Sequence, residues 1–279
     1  MRITNSFAFH LTRVVALTFA APLVWALDIS GASTVQPVVE RLIPLFTQHG
    51  GEAVQLAGGG SGAGVKNTLA GTSQIGMVSR ELKASEQTEL KNTVIAMDAL
   101  AIIVNQDNPL TQLTKSQLIE LYTGKITNWS ALGGPDLAVV RVTKEVGRST
   151  IELFEHFTGL QSPDREQTDK PLITKDAYVI GSNLESLTLV GGLPGAIGYV
   201  SVGTARAMAE AGLPVKVLTL DGVEPSDAAI RERRYPIVRP LNLVYREATP
   251  TVAAFLALAL SGEGQAVVKS LGFLPVGDR

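Results

Sequence analysis

The chain has 279 residues, of which 45% are hydrophobic and 18% are charged. This composition is typical of a globular protein and excludes an intrinsically disordered one. The sequence contains no Cys and only three His. It therefore excludes disulfide scaffolds, iron–sulfur clusters, thiolate chemistry and multi-histidine metal sites. Most redox and metallohydrolase functions are excluded with them, and we expect neither a metal nor a cofactor.

The charge balance argues against a nucleic-acid partner. The whole chain has 24 Lys and Arg against 26 Asp and Glu, and the first 26 residues hold Arg2 and Arg13 but no acid. Residues 27–279 are left with 22 basic and 26 acidic residues, a net charge of −4. Such a chain has no bulk attraction to a phosphate backbone.

Residues 1–26 have the pattern of a secretory signal peptide. Basic residues and His10 precede an apolar run from 14 to 24, and Ala26 offers a small residue at a cleavage position. The run is shorter than the ~20 apolar residues of a membrane-spanning helix, so we favour a cleaved signal over a membrane anchor. The mature protein is then expected in the periplasm.

Strand-like and helix-like segments alternate along the rest of the chain. The first predicted helix has apolar residues at the i, i+3, i+4, i+7 spacing of an amphipathic helix, beginning at Val35. The alternation predicts an α/β fold with largely parallel sheets. In chain order, the pattern predicts a strand at 27–30, helices at 35–46 and 62–70, strands at 74–79 and 100–105, a helix at 115–122, a strand at 139–143, a helix at 150–158, strands at 196–200, 217–220 and 242–245, and helices at 250–260 and 264–271.

Two stretches rich in turn-forming residues, 105–109 and 234–240, are candidate crossings between two domains. Two crossings place the first and last parts of the chain together. The sequence therefore predicts one lobe from residues 27–105 and 239–279, and a second lobe from residues 106–238.

Small residues and hydroxyls recur at three predicted helix starts, 31–34, 58–64 and 147–150. A helix N-terminus presents unpaired N–H groups and a partial positive charge, so three that converge would bind an anion. Taken singly, each is more typical of an ordinary helix cap, and the recurrence of all three is what favours an anion site. The Gly-rich run lacks the Lys-Ser/Thr ending of a Walker loop and the strand context of a dinucleotide fingerprint, so it does not indicate nucleotide binding.

Seven segments, in order through nearly all of the mature chain, resemble the PstS-like family of phosphate-binding proteins of ABC transporters. The resemblance implies two α/β lobes of the type II periplasmic-binding fold, joined by two hinge crossings and closing on one inorganic phosphate. It also implies delivery to a membrane permease, and we expect a monomer. The segments are GASTV at 31–35, GGSGAG at 59–64, IGMVSR at 75–80, LIELYTGKITNW at 118–129, GAIGYV at 195–200, YPIVRPL at 235–241 and the tail at 260–276.

The resemblance assigns ligand-binding roles by motif position. One loop departs from the family's Arg-Glu-x-Gly-Ser-Gly-Thr pattern, because Lys144 replaces the arginine and Arg148 replaces the serine. Lysine is a point charge and arginine a planar fork, so the exchange is not neutral. Arg148 either restores the charge or points to solvent. The residues assigned to the phosphate site are Ser33, Thr34, Ser61, Gly62, Ser79, Arg80, Asp98, Lys144, Arg148, Ser149 and Thr150.

Asp98, just before the strand at 100–105, has two interpretations. A carboxylate beside an anion is costly unless it accepts the proton of monohydrogen phosphate, in which case it would reject sulfate. Alternatively, Asp98 caps the end of a strand.

Other functions compete with phosphate reception. The alternatives within the binding class are a receptor for another tetrahedral oxyanion such as sulfate, a phosphate sensor, and an adhesion protein on the same fold. An exported phosphatase would need a metal cluster or an activated nucleophile with its base, and the sequence has neither in recognisable form. We therefore do not expect an enzyme.

We expect the exported protein to begin at Leu27, because the apolar run ends before the small residue Ala26. N-terminal sequencing of the protein released from the periplasm measures this directly. Recovery of a chain that starts at Met1 in the membrane fraction would contradict it.

Overall fold

The computed structural model describes residues 26–165 and 169–277. Residues 1–25 of the predicted signal peptide therefore lie outside the described part of the chain. The strands are β1 Leu27–Gly31, β2 Val54–Gly58, β3 Ile75–Val78, β4 Lys91–Asn105, β5 Gln112–Leu113, β6 Val140–Lys144, β7 Tyr178–Ile180, β8 Ala196–Ser201, β9 Val215–Val217, β10 Thr219–Leu220, β11 Val238–Tyr245 and β12 Leu274–Pro275. The helices are α1 Gln36–Gln48, α2 Ser61–Ala70, α3 Ala84–Gln87, α4 Lys115–Tyr122, α5 Ser149–Thr158, α6 Asn183–Gly192, α7 Val202–Glu210, α8 Asp227–Arg231, α9 Pro250–Leu260 and α10 Gly262–Ser270, with a 3₁₀ helix at Trp129–Leu132.

The strands form a mixed sheet in the order β2-β1-β3-β11-β4-β8-β6-β7, with β9 and β12 also paired to β4. At one end β1 runs parallel to β2 and β3, and at the other β6 runs parallel to β7 and β8. Between them β11 is antiparallel to β3 and β4, and β4 is antiparallel to β8. The predicted parallel pairing therefore holds at the two ends of the sheet, while the central strands are antiparallel.

Two large hydrophobic clusters divide the molecule into two lobes. The first cluster packs α1, α9 and α10 against β1, β3 and the start of β4, and the second packs α4 to α8 against the end of β4, β6 and β8. The apolar face predicted for the first helix is confirmed, since Val38, Val39, Leu42 and Phe46 are buried. Each lobe thus has its own core.

The long strand β4 passes from one lobe to the other within its own length. Ile95 and Ala96 belong to the first cluster, whereas the buried residues from Ala99 to Val104 belong to the second. The residues after Ala99 pair with β8 and β9. The predicted first crossing at 105–109 lies beyond this point, because the chain changes lobe within a continuous strand and not at a turn.

The strand β11 returns across the same boundary beside β4. Asp98 of β4 lies opposite Arg239 of β11, and Ala99 lies opposite Val238. Directly opposed residues of an antiparallel pair bring their side chains close together. The two crossings are therefore hydrogen-bonded to each other, with a charged residue on each at the point of crossing.

Among the described residues, no single helix is long and apolar enough to cross a membrane. The helices α9 and α10 reach the required length and hydropathy only when taken together, and they are bent by 61° at the break between them.

Candidate functional site

A small cavity lies between the two lobes, where α1, α2, α5 and α6 begin. Its volume is about 10 Å³, close to one water-sized sphere and far below the roughly 300–1,000 Å³ of pockets for drug-sized ligands. Four helix N-termini and their partial positive charges meet there. The cavity is lined by Ala32, Ser33, Thr34, Gly60, Ser79, Lys144, Arg148, Ser149, Thr150, Gly181 and Asn183.

Two glycines allow the first lobe to form its side of the cavity. Gly31 ends β1 with a φ of +136°, and a Cβ atom there would lie 2.3 Å from the carbonyl oxygen of Met77. Gly60 precedes α2 with a φ of +93°, and its Cβ would lie 3.0 Å from the carbonyl oxygen of Gly147 in the other lobe. A larger residue at either position would strain the backbone and separate the elements that carry the hydroxyls.

Polar groups of the two lobes meet directly across the cavity. The hydroxyl oxygens of Ser79 and Ser149 are 2.5 Å apart, and Asn183 Nδ2 donates to Thr34 Oγ1 at 3.2 Å. All four side chains are buried. The lobes are therefore closed on each other in this structure.

Two residues of the predicted site support the cavity from outside its lining. Ser61 Oγ accepts from the backbone N–H of Ser79 at 3.0 Å, which fixes the end of β3 against the start of α2. The N–H of Gly62 donates to the carbonyl of Gly147 at 3.4 Å, a further contact between the lobes. Of the loop residues predicted at the start of α5, Arg148, Ser149 and Thr150 all line the cavity.

Lys144 reaches the cavity from the end of β6. Its side chain is 2% exposed, and its ammonium donates to the carbonyl of Ser182 and, at 2.8 Å, to Ser186 Oγ. Burial lowers its pKa to about 7, with Arg148 and Arg239 acting in the same direction and Glu185 opposing them. A nearby anion would favour the protonated form. Lys144 is therefore a cation whose charge depends on what occupies the cavity.

Arg148 lines the cavity but also has a local carboxylate partner. Its Nη2 lies 2.8 Å from Glu145 Oε2, and its side chain is 22% exposed. The aliphatic part of the side chain approaches Gly60, while the guanidinium donates to Glu145. This arrangement is neither a free charge in the cavity nor a side chain that points to solvent.

Arg80 does not line the cavity. Its Nη1 and Nη2 donate to the two carboxylate oxygens of Glu86 at 2.7 and 2.8 Å, and its Nε lies 2.7 Å from Glu152 Oε2. Glu86 belongs to the same lobe, whereas Glu152 is on α5 of the other. The guanidinium predicted to face the anion therefore forms an ion pair between the lobes.

Asp98 also lies outside the lining of the cavity. Its Oδ2 is 2.7 Å from Arg239 Nη2 and 2.9 Å from Arg239 Nε, and its Oδ1 accepts from the N–H of Gly203 at 3.3 Å. Both oxygens thus have partners within the protein. The strand-end interpretation is nearer to this arrangement, although the partner is a buried arginine and not a turn.

Sequence reasoning missed three residues at the site. Gly181 and Asn183 lie at the start of α6, where Ser182 and Glu185 form a capping box. That Ser-x-x-Glu pattern before an apolar run is readable from the sequence. The third residue, Arg239, is fully buried. Its need for a partner was also readable from the sequence, because a charged residue inside an apolar strand requires one. Asp98 is placed in its own strand in the same way.

No cluster of three or more His, Cys, Asp or Glu side chains in the described ranges could hold a metal ion. The lining, taken over the described residues, also contains no Asp or Glu. It combines hydroxyls, an amide and two basic side chains, which are groups that donate hydrogen bonds. The arrangement is suited to a compact anion.

The PBP superfamily domain matches residues 20–263. The chain belongs to this superfamily. It is 35% identical to a Clostridium perfringens protein solved with bound phosphate and described as a phosphate ABC transporter substrate-binding protein, with a TM-score of 0.79 over 90% of this chain and 99% of that one. It is 32% identical to an ABC-type phosphate transport receptor from Vibrio cholerae, with a TM-score of 0.72 over 89% and 99%.

A curated relative, the phosphate-binding protein PstS of Bacillus subtilis, is 29% identical over 91% of this chain and 81% of its own length. These matches confirm the resemblance to PstS-like proteins and the two-lobed fold that it implied. The relatives are named as binding and transport proteins.

The lowered pKa of Lys144 predicts an unusual pH dependence of stability. Between the folded pKa of about 7 and the ordinary lysine value of ~10.4, the unfolded state binds more protons than the folded state. The free energy of unfolding contributed by this residue should rise with pH in that window, by up to about 1.4 kcal/mol per pH unit. Below the window, both states are protonated and the contribution is constant.

Urea unfolding of wild type and Lys144→Met in anion-poor buffer, at several pH values across that window, measures this effect. The matched control is Lys216→Met, which removes a lysine of β9 outside the lining of the cavity. Parallel pH profiles for wild type and Lys144→Met would show that Lys144 keeps its ordinary pKa.

Proposed function

We propose that this protein is an exported solute-binding protein that captures inorganic phosphate between its two lobes and delivers it to an ABC-transporter permease in the membrane. The periplasm is its proposed location, through cleavage of residues 1–26. It acts as a monomeric carrier and not as an enzyme.

The observation that carries this proposal is the chemistry of the closed cavity. Hydroxyls of Ser33, Thr34, Ser79, Ser149 and Thr150 line this small space between the lobes. Four helix N-termini add positive potential without mobile side chains. Pre-organised dipoles of this kind bind an anion with little rearrangement, which favours a tetrahedral oxyanion over an extended solute.

The named relatives support the choice of phosphate among oxyanions. The Clostridium perfringens protein was solved with phosphate, and it shares 35% of its residues with this chain over nearly its whole length. Sulfate is the competing ligand, because Asp98 is bonded to Arg239 and does not supply a carboxylate to the lining. Selectivity is therefore part of the test.

Capture requires that the lobes open and close about the crossings in β4 and β11. We place the first hinge at Asp98–Ala99, where β4 changes from one hydrophobic cluster to the other. A ligand shifts the balance towards the closed form only through contacts that the closed form makes. The hydroxyls of Ser79 and Ser149, one from each lobe, are placed to provide such contacts.

Equilibrium dialysis with radiolabelled phosphate, with sulfate as competitor, tests the proposed function. Thr150→Val should weaken phosphate binding by about 0.5–1.5 kcal/mol, because it removes one hydroxyl from the cavity. The control is Thr158→Val at the far end of α5, whose hydroxyl donates to a carbonyl of its own helix and should leave affinity unchanged. Sulfate displacing phosphate at equal concentration would indicate a general oxyanion receptor, and no binding of either anion would refute the proposal.

The ion pair between Arg80 and Glu152 should favour closure without touching the ligand. Glu152→Gln removes the charge across the lobes but leaves Arg80 paired with Glu86. We expect weaker phosphate binding by up to about 1 kcal/mol, since an attraction between opposite charges is lost only from the closed form. Calorimetry measures the affinity, and small-angle scattering measures the compaction at saturating phosphate.

The matched control is Glu86→Gln, which weakens a pair inside one lobe. It should lower the melting temperature but change the affinity less than Glu152→Gln does. Equal affinities for wild type and Glu152→Gln would show that this ion pair does not contribute to closure.

A further inference from the structure

Arg239 lies in the YPIVRPL segment, at the point where β11 crosses between the lobes. Its side chain is fully buried, and its carboxylate partner, Asp98, is 2% exposed. The pair is joined by Nε and Nη2 to a single oxygen of Asp98, while the backbone of Gly203 holds the other. Because a buried charge without its partner is strongly destabilising, Asp98 fixes both the position and the orientation of the guanidinium.

The guanidinium reaches a hydroxyl from each lobe. Nη1 lies 3.4 Å from Thr150 Oγ1, and Nη2 lies 3.5 Å from Thr34 Oγ1. Thr34 precedes α1 in the first lobe, whereas Thr150 is in α5 of the second. The guanidinium holds its donors on separate nitrogens of one rigid plane, so Nη1 and Nη2 can serve two hydroxyls that lie apart, whereas all three donors of an ammonium share one nitrogen.

These contacts restrict what the hydroxyl of Thr34 can do. A hydroxyl has one hydrogen to donate and two lone pairs that accept. Thr34 Oγ1 accepts from Arg239 and also from Asn183 Nδ2 at 3.2 Å. With both lone pairs engaged, its own hydrogen is left to donate, and Thr34 lines the cavity.

We infer that Arg239, held by Asp98, is a positioning residue that makes Thr34 a hydrogen-bond donor towards the bound anion, and holds Thr150 beside it, when the lobes are closed. The inference rests on the proposed function and adds a residue pair to it. It assigns Asp98 an effect through Arg239 and not through the proton of the ligand. It also links closure to the orientation of the hydroxyls, because the guanidinium of Arg239 contacts a threonine of each lobe only when the lobes are closed.

A double-mutant cycle on phosphate affinity tests this inference. Arg239→Lys keeps a positive charge beside Asp98 but cannot reach both threonines, and it should lower the affinity by about tenfold or more. Thr34→Val removes the hydroxyl and should lower the affinity of wild type similarly. Combined with Arg239→Lys, it should add little, since the hydroxyl is then no longer oriented. A structural role alone would give additive losses.

The control cycle pairs Thr34→Val with Arg206→Lys, an arginine on α7 that is paired with Asp227; its losses should be additive. If Arg239→Lys does not fold, the double variant Asp98→Leu/Arg239→Met removes both buried charges and takes its place in the cycle. Additive losses in the Arg239 cycle, with wild type binding phosphate, would overturn the inference alone. Wild type that binds no phosphate would refute the proposed function and this inference with it.

Asp98→Asn gives an independent readout. If Asp98 acts through Arg239, phosphate and sulfate affinities should fall by the same factor, because both anions accept from the same threonines. A fall for phosphate with a gain for sulfate would show that Asp98 accepts the proton of the ligand, and it would overturn the inference.

Discussion

The architecture depends on a buried ion pair at the place where the chain crosses between its lobes. Asp98 and Arg239 lie opposite each other on β4 and β11, and neither side chain has appreciable contact with solvent. Removing one partner would leave a charge in a low-dielectric interior, at a cost of several kcal/mol. The pair therefore lies at the register position where both strands pass from one hydrophobic core to the other.

Because a buried charge needs a partner, a site for an anion can contain little free positive charge. Each arginine near the cavity is bonded to a carboxylate of the protein: Arg148 to Glu145, Arg239 to Asp98, and Arg80 to Glu86 and Glu152. Attraction for an anion then depends on hydroxyls, helix N-termini and Lys144. Neutral donors carry a smaller desolvation cost than bare charges, so the closed form can exist without a large electrostatic penalty.

Polar contacts between the lobes, both at the cavity and beside it, support closure. The serine pair and the contact from Asn183 to Thr34 lie at the cavity, and the ion pair of Arg80 with Glu152 lies beside it. Each of these contacts joins a group of one lobe to a group of the other. Such a contact favours the closed form only if it is present in that form and absent from the open one.

Much of this organisation is readable from local sequence. The periodic apolar residues of α1, the Gly-rich start of α2 and the capping box of α6 are patterns set by neighbouring residues, so the segments themselves indicate where these helices begin. The α/β class follows from their alternation. Residue type indicated anion chemistry only through recurrence, because hydroxyls and glycines before a single helix are equally typical of an ordinary cap.

Only the tertiary structure decided which of these groups act together. Arg80 and Asp98 were assigned to the ligand from their place in motifs, yet their partners, Glu152 and Arg239, are distant in sequence and are chosen by how the lobes meet. The change of lobe inside β4 was likewise not predicted, since the apolar residues on either side of Asp98 have the same pattern whichever core they enter. Pairing of buried charges and division of a strand between two cores are long-range properties, and local patterns do not encode them.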